Sequence, residues 1–260
     1  MYSGKYIWLD RWKNADNNIS IFASWEKEGW WSGARKVIEQ ILEWKTDISN
    51  ILIVSNHENG WASEIINQYK HKLQSIWIWL YFEHIEKFPK RDKNTKEFSS
   101  EAIWKIKKIY QDIFNTHNLK YVFLSGWMKL ILWLAPQTCV NIHPGPTQKP
   151  YWWKWMHGIN IHEKIWEDYN AWKITQTCIT IHYVTEKFDE GPIIAQIPVD
   201  ISKCENAEDV RKTVNKVEHQ YQPIITEMII NGEISWSGNR EDSVIVPDNF
   251  EWNKEIDLTA

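Results

Sequence analysis

The sequence predicts an α/β fold: a Rossmann-like, mostly parallel twisted sheet flanked by helices, with an antiparallel C-terminal portion. Short apolar runs alternate with amphipathic helical stretches over residues 19–142, the pattern of successive βαβ units. The alternation then changes, and two apolar runs, 175–184 and 193–201, follow each other across a short polar loop. Two runs also end in polar side chains followed by Gly and Pro, at the strand ends where α/β sheets hold their ligands.

Residues 19–23 form the first strand, and a turn-like stretch runs on to Gly33. Residues 34–44 have helical periodicity. Residues 51–54 are a second strand that stops at Ser55-Asn56, and 62–73 are a helix. The next strand is 76–82, followed by a long helix over 99–117 with Ser99 as its N-cap. Strands at 121–124 and 138–142 follow, the second delivering Asn141 and His143. A helix at 159–169 leads to the two consecutive strands, and 207–230 is a long closing helix. The domain organisation is an N-terminal extension at 1–18, one domain over 19–234 and a polar, loosely held tail at 235–260, with no internal repeat.

At 260 residues the chain can bury a full core. Its net charge of −4 and lack of a basic block give no reason to expect nucleic acid. There is no apolar run of membrane-spanning length and no signal-peptide pattern. The three cysteines, Cys139, Cys178 and Cys204, are odd in number and widely spaced. They read as small buried hydrophobes in a reducing cytoplasm, and no clustered ligand set suggests a metal.

The segments that carry chemistry are Asn141-Ile142-His143-Pro144-Gly145-Pro146 and Phe188-Asp189-Glu190-Gly191-Pro192. Together they offer an amide, an imidazole and a carboxylate, a set able to polarise a carbonyl and move a proton. Taken singly, each has a plainer reading. Asn favours turns and Pro stops strands, while Asp-Glu-Gly is also hairpin chemistry. His157, His162, His182 and His219 read as structural or exposed.

With these segments the chain resembles the folate-dependent formyltransferases, and among them the branch that formylates glycinamide ribonucleotide. The resemblance runs from residue 19 to 233. It also takes in Ile-Val-Ser-Asn at 53–56, Ser-Gly-Trp-Met-Lys-Leu-Ile at 125–131, Gln-Thr-Cys-Ile-Thr-Ile-His-Tyr-Val-Thr at 176–185 and Val-Glu-His-Gln-Tyr-Gln-Pro at 217–223. It implies the three-layer formyltransferase fold and a one-step formyl transfer from 10-formyltetrahydrofolate, a co-substrate, to the amine of glycinamide ribonucleotide, in purine biosynthesis and without a metal. Asn141 would hold the developing oxyanion. His143 would act as general acid/base, and Asp189 would orient His143 and raise its pKa. Trp31, Ser32 and Gly33 match the turn holding substrate phosphate, and Glu218 a carboxylate contacting the substrate. Met128, Lys129, Leu130 and Ile131 match a folate-pocket segment, Thr185, Glu186 and Phe188 the loop over the pterin, and Arg91 a folate-side arginine. On the residues alone, Glu218 could equally be a solvated helix face and 128–131 simply core. The partners implied are small molecules, with neither nucleic acid nor membrane, and a monomer or homodimer.

The chain has 19 Trp and only 10 Gly, and many Trp stand where the chain geometry wants Gly. Trp25, Trp30 and Trp31 lie in the phosphate turn, Trp61 at a helix start, Trp152, Trp153 and Trp155 after His143, and Trp44 and Trp172 at helix ends. The preferred explanation is a gene whose UGA codons are read as Trp where the host reads Gly; a natural aromatic-rich binding face and deliberate substitution are the alternatives. Trp127 and Trp166 have ordinary surroundings. Other readings of the chain are a formyltetrahydrofolate deformylase, a methionyl-tRNA formyltransferase-like enzyme, or a folate-binding homologue with impaired catalysis.

Overall fold

The computed structural model describes residues 17–24, 32–43, 48–58, 61–132, 134–148, 150–151 and 158–259. Trp25, Trp30 and Trp31, which the resemblance assigns to a phosphate turn, together with Trp44, Trp152, Trp153, Trp155 and the side chain of Trp61, lie outside them. The chain divides into two units, 1–139 and 140–260.

In the first unit the strands are β1 (Asn18–Ala23), β2 (Asn50–Ser55), β3 (Trp79–His84) and β4 (Leu119–Leu124). All pair in parallel, β1 between β2 and β4, with β3 outside β2. Every residue of β1 and β2 is buried, as expected of central parallel strands covered on both faces. Their starts are joined by buried asparagines: Asn50 Nδ2 donates to Asn18 Oδ1 at 2.7 Å, and Asn18 Nδ2 donates to the His117 and Asn118 carbonyls at 3.0 and 3.2 Å. The helices are α1 (Ser32–Glu43), α2 (Trp61–Ser75) and α3 (Ser100–Thr116). Ser99 caps α3, its hydroxyl accepting from the Ala102 N–H at 3.1 Å.

The second unit holds β5 (Cys139–His143, from its second residue), α4 (Ile159–Asn170), β6 (Thr177–Tyr183), β7 (Ile193–Val199) and α5 (Ala207–Ile230). β5 pairs antiparallel with β6, and β6 antiparallel with β7. α4 packs against α5, and α5 against β6 and β7. The parallel N-terminal and antiparallel C-terminal strands are those the sequence predicts. Among the described residues, no helix is long and apolar enough to cross a membrane. The cysteines are buried and unbridged.

Two expectations need correction. The strand expected from residue 76 begins at Trp79, because residues 76–78 finish α2 instead. Trp77 adopts φ 67°, its N–H donates to the Gln74 carbonyl, and the Ile78 N–H donates to the Leu73 carbonyl. That is the Schellman ending, which normally takes Gly at this position. α4 ends in the same way: Trp172 has φ 57°, with Trp172 N–H to Tyr169 O and Lys173 N–H to Asp168 O. At the end of α5 the equivalent residue is Gly232. The tail is also held more firmly than its polar composition suggests. Trp236 is buried, lies 5.3 Å from the Tyr183 ring and donates to the Asn239 and Asp242 carbonyls. Farther on, Gln196 N–H donates to the Trp252 carbonyl, Asn253 Nδ2 to the Ile193 and Ile194 carbonyls, and Thr175 N–H to the Leu258 carbonyl.

Candidate active site

The second unit brings Asn141, His143 and Asp189 together. Asn141 and His143 alternate along β5, and the antiparallel register sets Asn141 opposite His182 on β6. The chain then leaves β6 and returns as β7, and Asp189 stands in that connection with φ 52°, a left-handed conformation that Asp tolerates better than most residues. Its carboxylate is 3.4 Å from Asn141 Nδ2, 3.7 Å from His143 Nδ1 and 3.4 Å from His182 Nε2.

Gly191 makes this connection possible. A Cβ there would lie 1.6 Å from the Tyr183 carbonyl oxygen, so no side chain fits without moving backbone. The loop crosses directly over the Tyr183 peptide, whose N–H also donates to the Pro192 carbonyl at 3.0 Å. The β5 end is supported from the other side. Thr180 Oγ1 donates to the Gly145 carbonyl at 2.8 Å, Gln196 Nε2 donates to Thr180 Oγ1 at 3.0 Å, and the Ile256 N–H donates to Gln196 Oε1 at 2.8 Å. Tyr151, buried beyond the Pro-Gly-Pro turn, donates its hydroxyl to Asp168, a carboxylate also bound by Lys164 and Lys173.

Burial dominates the electrostatics of His143. It lowers the His143 pKa, assisted by the neighbouring His182 and opposed by Asp189 and the Tyr151 backbone. The expected upward pull of Asp189 is therefore present but is outweighed. Burial works against ionisation of Asp189 too, yet His143 and His182 overcome it and hold the carboxyl at about 2. The pair is thus an ionised carboxylate beside an imidazole that favours its neutral form. His143 Nε2 is buried and makes no hydrogen bond among the described residues, leaving a ring nitrogen for a proton in transit. The 3.7 Å separation is an ion-pair distance too long for a hydrogen bond, and such contacts tighten when substrate binds.

The remaining positions fall on both units. Glu218 sits half-buried on α5, receives a hydrogen bond from Asn215 at 3.3 Å and is pushed by burial up to about 7. Thr185 is buried with its hydroxyl on the Lys187 carbonyl, whereas Glu186 and Phe188 are exposed. In the first unit, Ser32 and Gly33 open α1. Met128 is exposed and its N–H donates to Ser24 Oγ at 3.0 Å. Lys129 lies over the Phe88 ring, Leu130 is half-buried and Ile131 is buried. Arg91 is engaged within its own loop, over Phe98 and bonded to the Lys96 carbonyl. Trp31 lies outside the described residues.

His182 is the site neighbour that sequence reading passed over. Only the β5–β6 register reveals it, since that register sets it against Asn141.

Comparison with known proteins identifies the family of the chain. The chain is 29% identical over 137 residues to the chloroplastic phosphoribosylglycinamide formyltransferase of Arabidopsis thaliana, a match covering 51% of this chain but 44% of that protein. It is 27% identical over 154 residues to the phosphoribosylglycinamide formyltransferase of Bacillus subtilis, covering 56% of this chain and 70% of the relative. The glycinamide ribonucleotide transformylase 1 structure from Symbiobacterium toebii shares the fold, with a TM-score of 0.62 at 18% identity, over 90% of this chain and 96% of that one. The model of the family described as formyl transferase matches residues 29–226, a span that includes Asn141, His143 and Asp189, and the chain belongs to that family.

Proposed function

We propose that this protein transfers the formyl group of 10-formyltetrahydrofolate to the amine of glycinamide ribonucleotide, a step of purine biosynthesis, as a cytoplasmic enzyme without a metal. The observation that carries the reading is the convergence of Asn141, His143 and Asp189, with the carboxylate 3.4 and 3.7 Å from its two partners. The amine nitrogen attacks the formyl carbon, a new C–N bond forms, and the bond from that carbon to N10 of the folate breaks. An Asn141 N–H stabilises the negative charge on the formyl oxygen. His143, neutral and with Nε2 unengaged, accepts the proton shed by the amine and passes it to the departing N10. Asp189 holds the Nδ1 side of the ring and steadies the transient imidazolium.

Glu218 supports the amine side. A half-buried carboxyl raised to about 7 is suited to hydrogen-bonding a polar substrate group. The folate-side roles of Met128, Lys129, Leu130, Ile131, Thr185, Glu186, Phe188 and Arg91, and the phosphate role of Trp31, Ser32 and Gly33, rest on the family resemblance.

The test is loss of 10-formyltetrahydrofolate with and without glycinamide ribonucleotide. Amine-dependent loss that His143→Ala and Asp189→Asn each abolish supports the assignment. Loss that proceeds at the same rate without the amine assigns water as acceptor and overturns it.

A further inference from the structure

We propose that His182 is a positioning residue for the transfer: through one fixed tautomer it turns the Asn141 amide so that its NH2 edge, and not its carbonyl, serves the reacting formyl oxygen. The inference rests on the proposed formyl transfer at this site.

The geometry is closed on every side. His182 is buried, with Nδ1 2.9 Å from the Tyr183 carbonyl oxygen. A carbonyl can only accept, so Nδ1 carries the proton. In the neutral ring Nε2 then presents a lone pair, and Asn141 Nδ2 stands 3.1 Å from it. Asp189 Oδ1 is 3.4 Å from both Asn141 Nδ2 and His182 Nε2. The amide thus faces two acceptors. Turned over, it would put its oxygen against a lone pair and a carboxylate, which is repulsive. One N–H is taken up by this triangle, and the second is left to donate to an oxyanion. An isolated Asn has no such preference and would present its oxygen as readily as its nitrogen.

The tautomer is itself protected. The Tyr183 carbonyl that fixes Nδ1–H is the atom against which Gly191 passes with no room for a Cβ. The loop that delivers Asp189 and the carbonyl that sets His182 are therefore held by the same close approach.

Two substitutions separate positioning from packing. In His182→Gln the side-chain carbonyl reaches the place of Nε2 and keeps an acceptor for Asn141. In His182→Asn the amide reaches only the place of Nδ1, so the Tyr183 contact survives and the acceptor is lost. The expected result is that His182→Asn lowers kcat by about 10–100-fold, short of the roughly 100–1,000-fold for deleting an oxyanion donor. KM for 10-formyltetrahydrofolate should change little, and His182→Gln should recover most of the rate. In an Asn141→Ala background, His182→Asn should cost nothing further. Equal activity of the Asn and Gln variants, or an undiminished His182→Asn effect in the Asn141→Ala background, overturns the proposal. Should the variants fail to fold, long-range 15N–1H NMR of the unmodified protein reads the tautomer. A proton on Nδ1 alone is expected, and a proton on Nε2, whether alone or together with one on Nδ1, refutes the proposal. Full activity of Asn141→Ala with the Nδ1–H tautomer intact would instead place the failure in the functional reading, and the positioning role would fall with it.

Discussion

Both units contain histidine–carboxylate contacts, and the shortest among the described residues is not the one proposed to react. In the first unit His117 Nε2 lies 2.7 Å from Glu83, whereas in the second His143 Nδ1 lies 3.7 Å from Asp189. The His117 side chain is 16% and the Glu83 side chain 36% exposed, so that pair is partly solvated, and it joins the end of α3 to β3. Asp189 is 22% and His143 5% exposed. Here the carboxylate is shared among an amide and two imidazoles, and His143 retains an unengaged Nε2. A short ion pair at a helix end serves structure. A buried, shared and slightly open one keeps a proton acceptor in reserve.

The comparison can be broken from either side. Removing the looser pair should have the largest effect: His143→Ala and Asp189→Asn are each expected to lower kcat by roughly 100–10,000-fold with little change in thermal midpoint, read by steady-state kinetics beside a melting curve. Gly191→Ala comes next. It must displace the Tyr183 peptide, so both activity and stability should fall, stability by about 1–3 kcal/mol as for an overpacked site, measured by chemical denaturation. Removing the tight pair by His117→Ala should leave kcat unchanged and cost about 1 kcal/mol or less, because partly solvated ion pairs contribute little.

Burial sharpens the contrast through pH. The pKa of His143 is lowered from its ordinary 6.5, so the acid limb of kcat/KM should fall below that value. His162, buried on α4, is also lowered, to about 3, by burial and by Arg211 and His143. Both rings are neutral in the folded chain, while the unfolded chain binds their protons first as pH falls. Stability present at neutral pH is therefore lost as pH drops from 6.5 toward about 3. The slope for each such group is about 1.4 kcal/mol per pH unit while the unfolded chain alone is protonated. His162→Phe should flatten the acid side of a stability–pH curve if the ring is accommodated.

The smallest expected effect concerns the helix ends. Trp77 and Trp172 hold positive φ while 78% and 89% exposed, so no packing offsets the strain. Trp172→Gly should raise stability by about 1 kcal/mol, whereas Gly232→Trp at the matching end of α5 should lower it by a similar amount. Intact mass of protein from the native host would show which residue the organism itself places at these ends.

Much of the fold was legible because strand runs, the Ser99 cap and the strand-end polar motifs are local signals. Asn141, His143 and Asp189 could be picked out because they lie in two short segments that follow strand-like runs and carry Pro or Gly within a few residues. His182 could not, since its partner is fixed by strand register, which a single strand does not carry. The start of β3 was misplaced because Trp77 reads as an apolar strand residue yet occupies a helix terminus. The tail looked loose because two aromatic anchors, Trp236 and Trp252, are scattered among polar neighbours. The net direction of the His143 shift depends on burial, which sequence does not reveal.

Gln196 links distant parts of the second unit. It receives the Ile256 N–H on one side and donates to Thr180 on the other, and Thr180 in turn grips the Gly145 carbonyl. Ile256 is thus mechanically coupled to the turn just beyond His143. A shortened clone ending before residue 252 would slacken that turn, more than 100 positions upstream, without touching any group proposed to handle the formyl carbon.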